Sequence, residues 1–208
     1  RIKANCLVET VTEIKDVEQL ATAFTALVAK GGEVFRVVAL SEWDLLNAAA
    51  LRERFGVTGM QPAAATGVRD KVRMKELITA AGIKAPVFAP CPDLTALEAF
   101  IHTYGFPIVL KPRKMAASIG VVVLRDQTQF DAQKADLTFD DMECETYCPG
   151  AVFHVDGLMR NGTLVYAVPF RYTRPPVEFV QGLPLGSMAL PRGALREQMI
   201  AFATQVAA

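Results

Sequence analysis

The 208-residue sequence is short of several things, and each shortage removes a class of protein. Four cysteines, Cys6, Cys91, Cys144 and Cys148, are too few and too scattered for a disulfide scaffold. They include no Cys-x-x-Cys pair and no second Cys/His pair to complete a tetrahedral zinc site, so they read as small apolar fillers in a reducing, cytoplasmic compartment. Net charge is lacking as well: 22 Lys and Arg balance 22 Asp and Glu, and no overall positive field argues for nucleic acid or an anionic membrane surface. Any bound anion must then be held by a local constellation. Apolar stretches such as Phe106–Leu110 and Val121–Leu124 fall far short of the ~20 residues that cross a bilayer, and no leader-like amino terminus is read. Neither G-x-x-x-x-G-K-[ST] nor G-x-G-x-x-G occurs, which excludes the common mononucleotide and dinucleotide motifs. What is present is a 51% apolar chain, enough to bury the core of one large domain or two small ones. It opens on Arg1 rather than Met, and a chain incomplete at both ends is expected.

Periodicity divides this chain into an α/β part and an α+β part. Residues 1–66 read as the remnant of an α/β parallel-sheet domain: strand-like Cys6–Val11, a helix over Val17–Leu27 ended by Gly31-Gly32, a buried strand at Val34–Leu40 and a helix over Asp44–Phe55 closed by Gly56. Residues 67–85 form a linker helix with Lys71, Arg73 and Lys75 in its first turns, where cations oppose the helix dipole and a docked anion would relieve them; an ordinary solvated basic face is the plainer reading. Over 86–148 come a strand at Pro86–Ala89, a helix from the capping Asp93 to Tyr104, the apolar run Phe106–Leu110 ending in Lys111-Pro112, and strand Val121–Leu124. A helix at Thr128–Ala135 and strand Met142–Cys148 complete that part. Residues 149–208 give two strands, Ala151–Met159 and Thr163–Phe170, joined by the hairpin signal Asn161-Gly162. A Pro-containing segment, Thr173–Pro191, and a helix from Ala194 follow.

One charge terminates the otherwise apolar run at Lys111, so the strand delivers an ammonium to whatever lies at its end. The loop Arg113–Gly120 after it is basic at its start and small at its centre. Its backbone N–H groups, the Ser118 hydroxyl and Lys111 could close over phosphates, or the segment could be a surface hairpin loop with a strand-end lysine. His102, on a helix flank near Tyr104, reads as structural or solvated.

Four motifs in register carry a resemblance: Asp70-Lys71 opening a helix that ends in Ala-Gly-Ile, then Phe106-Pro-Ile-Val-Leu-Lys111-Pro, then Ser118-Ile-Gly-Val, then Glu143-Cys-Glu145-Thr-Tyr-Cys-Pro-Gly150. In order and spacing they resemble the ATP-grasp superfamily, from about Val34 to the end of the chain. The run Gly150-Ala-Val-Phe-His154-Val-Asp156-Gly157-Leu resembles its carboxylate–amine ligases, which include L-amino-acid ligases, and more distantly biotin carboxylase and D-alanine–D-alanine ligase. The resemblance implies an ATP-grasp fold whose lid subdomain spans 86–148, with residues 149–208 starting a truncated carboxyl-terminal subdomain. It makes Lys71 and Lys111 phosphate ligands, with Ser118 and Gly120 in the phosphate-covering loop. Glu145 becomes the acceptor for the adenine amino group, the backbone around Tyr147 and Cys148 the reader of the purine edge, and Cys144 and Val152 flanking walls.

Two departures follow. The loop keeps only Gly120 where relatives have several glycines, and Val152-Phe153 stands where D-alanine ligases place a ribose-binding Glu, a contact that His154 or Asp156 could replace. The implied activity is an ATP-dependent ligation of a carboxylate and an amine, amino acids among them, through an acyl-phosphate. Lys111 would act electrostatically, and Arg171, with Arg174, is a candidate for gripping a carboxylate or the acyl-phosphate, an exposed basic turn being the plainer reading. ATP and Mg²⁺ are the implied cofactors, with no metal ligand named; a homodimer is compatible. The alternatives are a carboxylase on the same scaffold and a nucleotide-binding module without turnover.

Overall fold

A computed structural model of the chain describes residues 6–207, and a division into two compact units falls between Met74 and Lys75. In the first unit, α1 (Val17–Gly31) starts where the Asp16 carboxylate accepts from the N–H groups of Glu18 and Gln19 and stops at Gly32. Helix α2 (Leu45–Phe55) is closed by Gly56 in the left-handed region, φ 66°, and the rings of Phe24 and Phe55 stack at 4.1 Å. Buried Arg52 donates to the carbonyls of Val37 and Met60, satisfying backbone that no ladder reaches. A short α3 (Pro62–Arg69) was hidden from periodicity, although Pro62 at its first turn is a start signal. Asp70 then takes extended φ/ψ and its side chain accepts from the Val72 and Arg73 N–H groups at the start of α4 (Lys71–Ala80). The linker helix expected over 67–85 is therefore the end of α3 followed by α4, and the basic first turn of α4 is relieved by a carboxylate of its own chain.

The two strands expected in this unit do not form. Neither Cys6–Val11 nor Val34–Leu40 belongs to a ladder, and Phe35 and Leu40 are 77% and 96% exposed. A strand exists only as half of a pair, and among the described residues neither segment has a partner.

In the second unit, β1 (Phe88–Pro90), β2 (Ile108–Pro112), β3 (Val122–Leu124) and β4 (Met142–Thr146) form an antiparallel sheet in the order β1-β4-β2-β3. Helices α5 (Leu94–Tyr104) and α6 (Gln127–Gln133) are capped by Asp93 and Asp126, whose carboxylates each accept a 2.8 Å hydrogen bond from the residue three positions on. Their apolar sides meet the sheet in one core of Cys91, Leu97, Phe100, Ile108, Leu110, Leu124, Phe130, Met142 and Cys144. A second sheet, in the order β5-β6-β7, holds β5 (Phe153–Arg160), β6 (Thr163–Tyr172) and β7 (Ser187–Ala189). Asn161 and Gly162, at φ 50° and 76°, make the turn that Asn-Gly signals. The expected Pro-containing segment carries the short α7 (Pro176–Val180) and β7, and α8 (Ala194–Ala207) packs on β6 and β5.

Strand alternation then decides where charge goes. Met142 and Cys144 of β4 face the core with Ile108 and Leu110 of β2, so Glu143 and Glu145 must face the other side. Antiparallel register sets Lys111 opposite Glu143 and Val109 opposite Glu145, gathering one lysine and two glutamates on that side.

Candidate functional site

On this second face lies a buried ionic quartet. The side chains of Lys75, Lys111, Glu143 and Glu145 are 6%, 17%, 0% and 11% exposed. Lys75 Nζ, from α4, donates to both oxygens of Glu143 at 2.7 Å and is paired with Glu145 Oε2. Lys111 Nζ is paired with Glu145 Oε1 and stands 3.7 Å from Glu143 Oε1. Lys75 also lies 5.1 Å from the centre of the Phe88 ring, a further contact for a desolvated cation. Two cations balance two carboxylates, which is how charges survive out of water. Burial works to raise the Glu145 carboxyl, but Lys111 and then Lys75 more than offset it, and its pKa is held below the ordinary glutamate value.

The chain after Lys111 turns tightly. Arg113 N–H donates to Asp141 O, and Lys114 pairs with Asp141 at 2.9 Å. Ala117 and Ser118 both adopt positive φ, 54° and 58°, followed by Gly120 at 73°. Left-handed backbone is here borne by Ala117 and Ser118, an uncommon state for residues with a Cβ. Gly120 is required for a second reason: a Cβ there would stand 2.8 Å from the Pro112 ring.

Beyond Glu145 the strand leaves its sheet. The N–H groups of Thr146 and Tyr147 donate to Val87 O and Pro107 O, whereas that of exposed Cys148 has no partner among the described residues. Of the expected purine-reading backbone, the donor of Tyr147 is therefore already committed. Tyr147 lines a cavity of about 310 Å³ together with Val121–Val123, Pro175 and Glu178.

His154 projects from β5 between the rings of Phe170, stacked at 4.9 Å, and Tyr172. Its Nδ1 is 3.1 Å from Asp156 Oδ1 and its Nε2 2.7 Å from Ser187 Oγ, so both ring nitrogens are engaged. Arg171 is exposed on the opposite face of the same sheet, because it pairs with Phe153 while His154 pairs with Phe170. The expected ribose contact at His154 and the expected carboxylate grip at Arg171 thus lie on opposite faces of this sheet. Arg174 lies 3.6 Å from Glu178, and its Nε is buried without a hydrogen-bond partner. Lys71 is the first residue of α4, and His102 is exposed on α5. Cys144, expected as a wall beside the hinge, is 1% exposed inside the apolar core, because β4 sends it to the face opposite Glu145. Val152 lies just before β5 and is exposed.

Two residues of the quartet escaped the sequence reading as members of a site. Glu143 was quoted only as part of a motif, and Lys75 only as part of a basic helix face. The usable signal for Glu143 was the i, i+2 spacing with Glu145 in a strand whose intervening residues are apolar. Nothing local pairs Lys75 with a residue 68 positions away.

Among the described residues no group of three or more His, Cys, Asp or Glu side chains could hold a metal ion, so no residue here is assigned to Mg²⁺. No helix among them is long and apolar enough to cross a membrane.

The sequence matches no family model. It is 35% identical over 74 residues to the alanine–anticapsin ligase of Bacillus subtilis (strain 168), covering 36% of this chain and 16% of that protein. It is 32% identical over 105 residues to the D-alanine–D-alanine ligase of Cupriavidus taiwanensis, covering 49% of this chain and 32% of that protein. Among solved structures, the L-amino acid ligase from Bacillus licheniformis superposes with a TM-score of 0.74 at 17% identity, over 94% of this chain and 47% of that one. The ADP complex of the N5-carboxyaminoimidazole ribonucleotide synthetase purK gives 0.67 at 15% identity, over 99% of this chain and 52% of that one. The chain thus spans about half the length of these solved structures and less of the sequence relatives. With Lys111 largely buried near the end of β2, and with these solved structures matched over nearly its whole length, the chain has the ATP-grasp fold.

Proposed function

We propose that the whole protein is an ATP-dependent carboxylate–amine ligase that joins an acid to an amine, amino acids among them, through an acyl-phosphate. The observation that carries this reading is Lys111: a strand-end ammonium, largely buried, beside a hinge whose Cys148 N–H lacks a partner among the described residues. Both sequence relatives quoted are named for joining alanine to a second molecule, which favours amide formation over carboxylation. A substrate carboxylate oxygen attacks the γ-phosphorus of ATP and ADP leaves. The amine then attacks the acyl carbon, phosphate departs with the transferred oxygen, and the amine loses a proton.

This chain's residues serve that sequence by position and charge. Lys111 neutralises phosphate oxygens, while the loop Arg113–Gly120, with its left-handed Ala117 and Ser118, lays backbone N–H groups and the Ser118 hydroxyl over them. Glu145 and the Cys148 backbone meet the purine at the hinge, and His154, steadied by Asp156 and Ser187, faces the nucleotide from β5. Arg171 receives no role. Mg²⁺, present with ADP in a solved biotin carboxylase domain of the same fold, would enter with the nucleotide. The four described cysteines, all free thiols, suit a reducing cytoplasm.

The test follows oxygen. With the full-length protein, ATP and pairs of amino acids of which one carries ¹⁸O in its carboxylate, label should appear in the released phosphate in step with product and ADP. Lys111→Ala should slow that release by roughly 30- to 1,000-fold, the ~2–4 kcal/mol of a phosphate-stabilising charge. ADP release that depends on bicarbonate, with no label transfer from any amino acid, would replace the ligase by a carboxylase. The structural likeness to the purK enzyme makes that the second reading.

A further inference from the structure

The quartet raises a difficulty for the nucleotide reading. If Lys111 is to hold a phosphate, it must give up Glu145, and a carboxylate left without a cation in a buried site is costly. Glu145 Oε2 lacks a hydrogen bond of regular geometry, yet Lys75 Nζ is paired with it. Among the described residues Lys75 has no other route to neutrality: its side chain is 6% exposed, and its partners are the fully buried Glu143 and the largely buried Glu145. A lysine on a surface face would be solvated; this one is committed to two acids.

We infer that Lys75 is a positioning residue of the nucleotide site, the counter-ion that retains Glu143 and Glu145 so that the Lys111 ammonium can be passed to a nucleotide phosphate. Lys75 touches no nucleotide in this arrangement. It acts through the two acids, by keeping Glu143 from claiming Lys111, which already stands 3.7 Å away. Removing its charge leaves Lys111 as the only cation of the quartet against two carboxylates, and phosphate must then compete with both. Neutralising Glu143 as well restores a one-to-one balance between Lys111 and Glu145. The inference rests on the proposed nucleotide site and adds a residue to it.

The experiment is a calorimetric titration of the full-length protein and its variants with MgADP, with the dissociation constant referred to the folded fraction measured by urea denaturation. Lys75→Met should weaken binding on the order of tenfold, a coupling ordinary for charges in contact. Lys75→Arg should stay near wild type, and the double variant Lys75→Met/Glu143→Gln should recover part of the loss, because phosphate then competes with Glu145 alone for Lys111. A purely structural lysine would change the urea midpoint and leave the affinity of the folded molecules alone; that result, or a double variant as weak as Lys75→Met, overturns the inference. Should Lys75→Met fail to fold, Glu143→Gln alone decides, because it frees Lys75 to take Glu145 and should bind MgADP as tightly as wild type or more tightly. Weaker binding by Glu143→Gln contradicts the counter-ion role. Lys111→Met is the control that separates the two claims: wild-type affinity there would sink the nucleotide site itself.

Discussion

The two faces of the four-stranded sheet are built from the same two strands and could hardly differ more. Toward α5 and α6, Ile108, Leu110, Met142 and Cys144 pack in a core with no charge. One residue out of phase, Lys111, Glu143 and Glu145 meet Lys75 in a cluster with no apolar filler among its charged members. The first face is stabilised by removal of apolar area from water, and its cost of failure is unfolding. The second gains little net stability from its ion pairs, since desolvation offsets attraction, and its value lies in holding charge ready. A sheet of this kind separates stability from chemistry by side-chain parity alone.

Substitutions at neighbouring positions sharpen the contrast. Leu110→Ala, at a fully buried core position, should cost about 2–5 kcal/mol in urea denaturation, with the folded molecules retaining their MgADP affinity. A Leu110 variant that stays stable but loses nucleotide would blur the two faces into one.

A smaller effect is set by pH. The pKa of Glu145 is held below its ordinary value, so the unfolded chain takes up a proton on this group before the native one does. The stabilisation from its ionised form is therefore complete above the ordinary glutamate range and fades as pH falls below that range, toward the lowered native value. The stability gap between wild type and Glu145→Gln should accordingly be present at neutral pH and close in acid. A gap that does not change with pH would mean the carboxylate is not held by its lysines.

The smallest expected signal carries no energy at all. Cys144 and Cys148 stand four positions apart, one in the core and one exposed beyond the hinge. The Cys91 thiol, beside Cys144 and buried, is pushed up in pKa, which makes its nucleophilic form scarce. Peptide mapping after brief alkylation of the native protein should find Cys6 and Cys148 modified, and Cys91 and Cys144 only after unfolding. Early loss of Cys144 would place it as a wall beside the hinge after all.

Much of the second unit was legible because its signals are local. Asp93 before α5, the Asn161-Gly162 turn and the apolar run that becomes β2 each act within a few residues. The first unit was read less well for the converse reason. The apolar run Val34–Leu40 has a strand's composition, but a ladder needs a neighbour that local pattern does not supply. The candidate site divides along the same line. Lys111 and Glu145 were marked by a charge ending an apolar run and by a motif, whereas Lys75 became visible only when the fold brought α4 to β4. Arg171 shows the same limit from the other side, since which face it takes depends on the register of β6 against β5.

The central claim is that the charged face of this sheet holds a nucleotide through Lys111. Its most direct test is a MgADP titration of full-length wild type beside Lys111→Met, with urea denaturation to confirm that both are folded. The account predicts a loss of affinity of about 10- to 150-fold, the worth of a hydrogen bond to a charged group, with the fold intact. Equal affinity in the two proteins would contradict it.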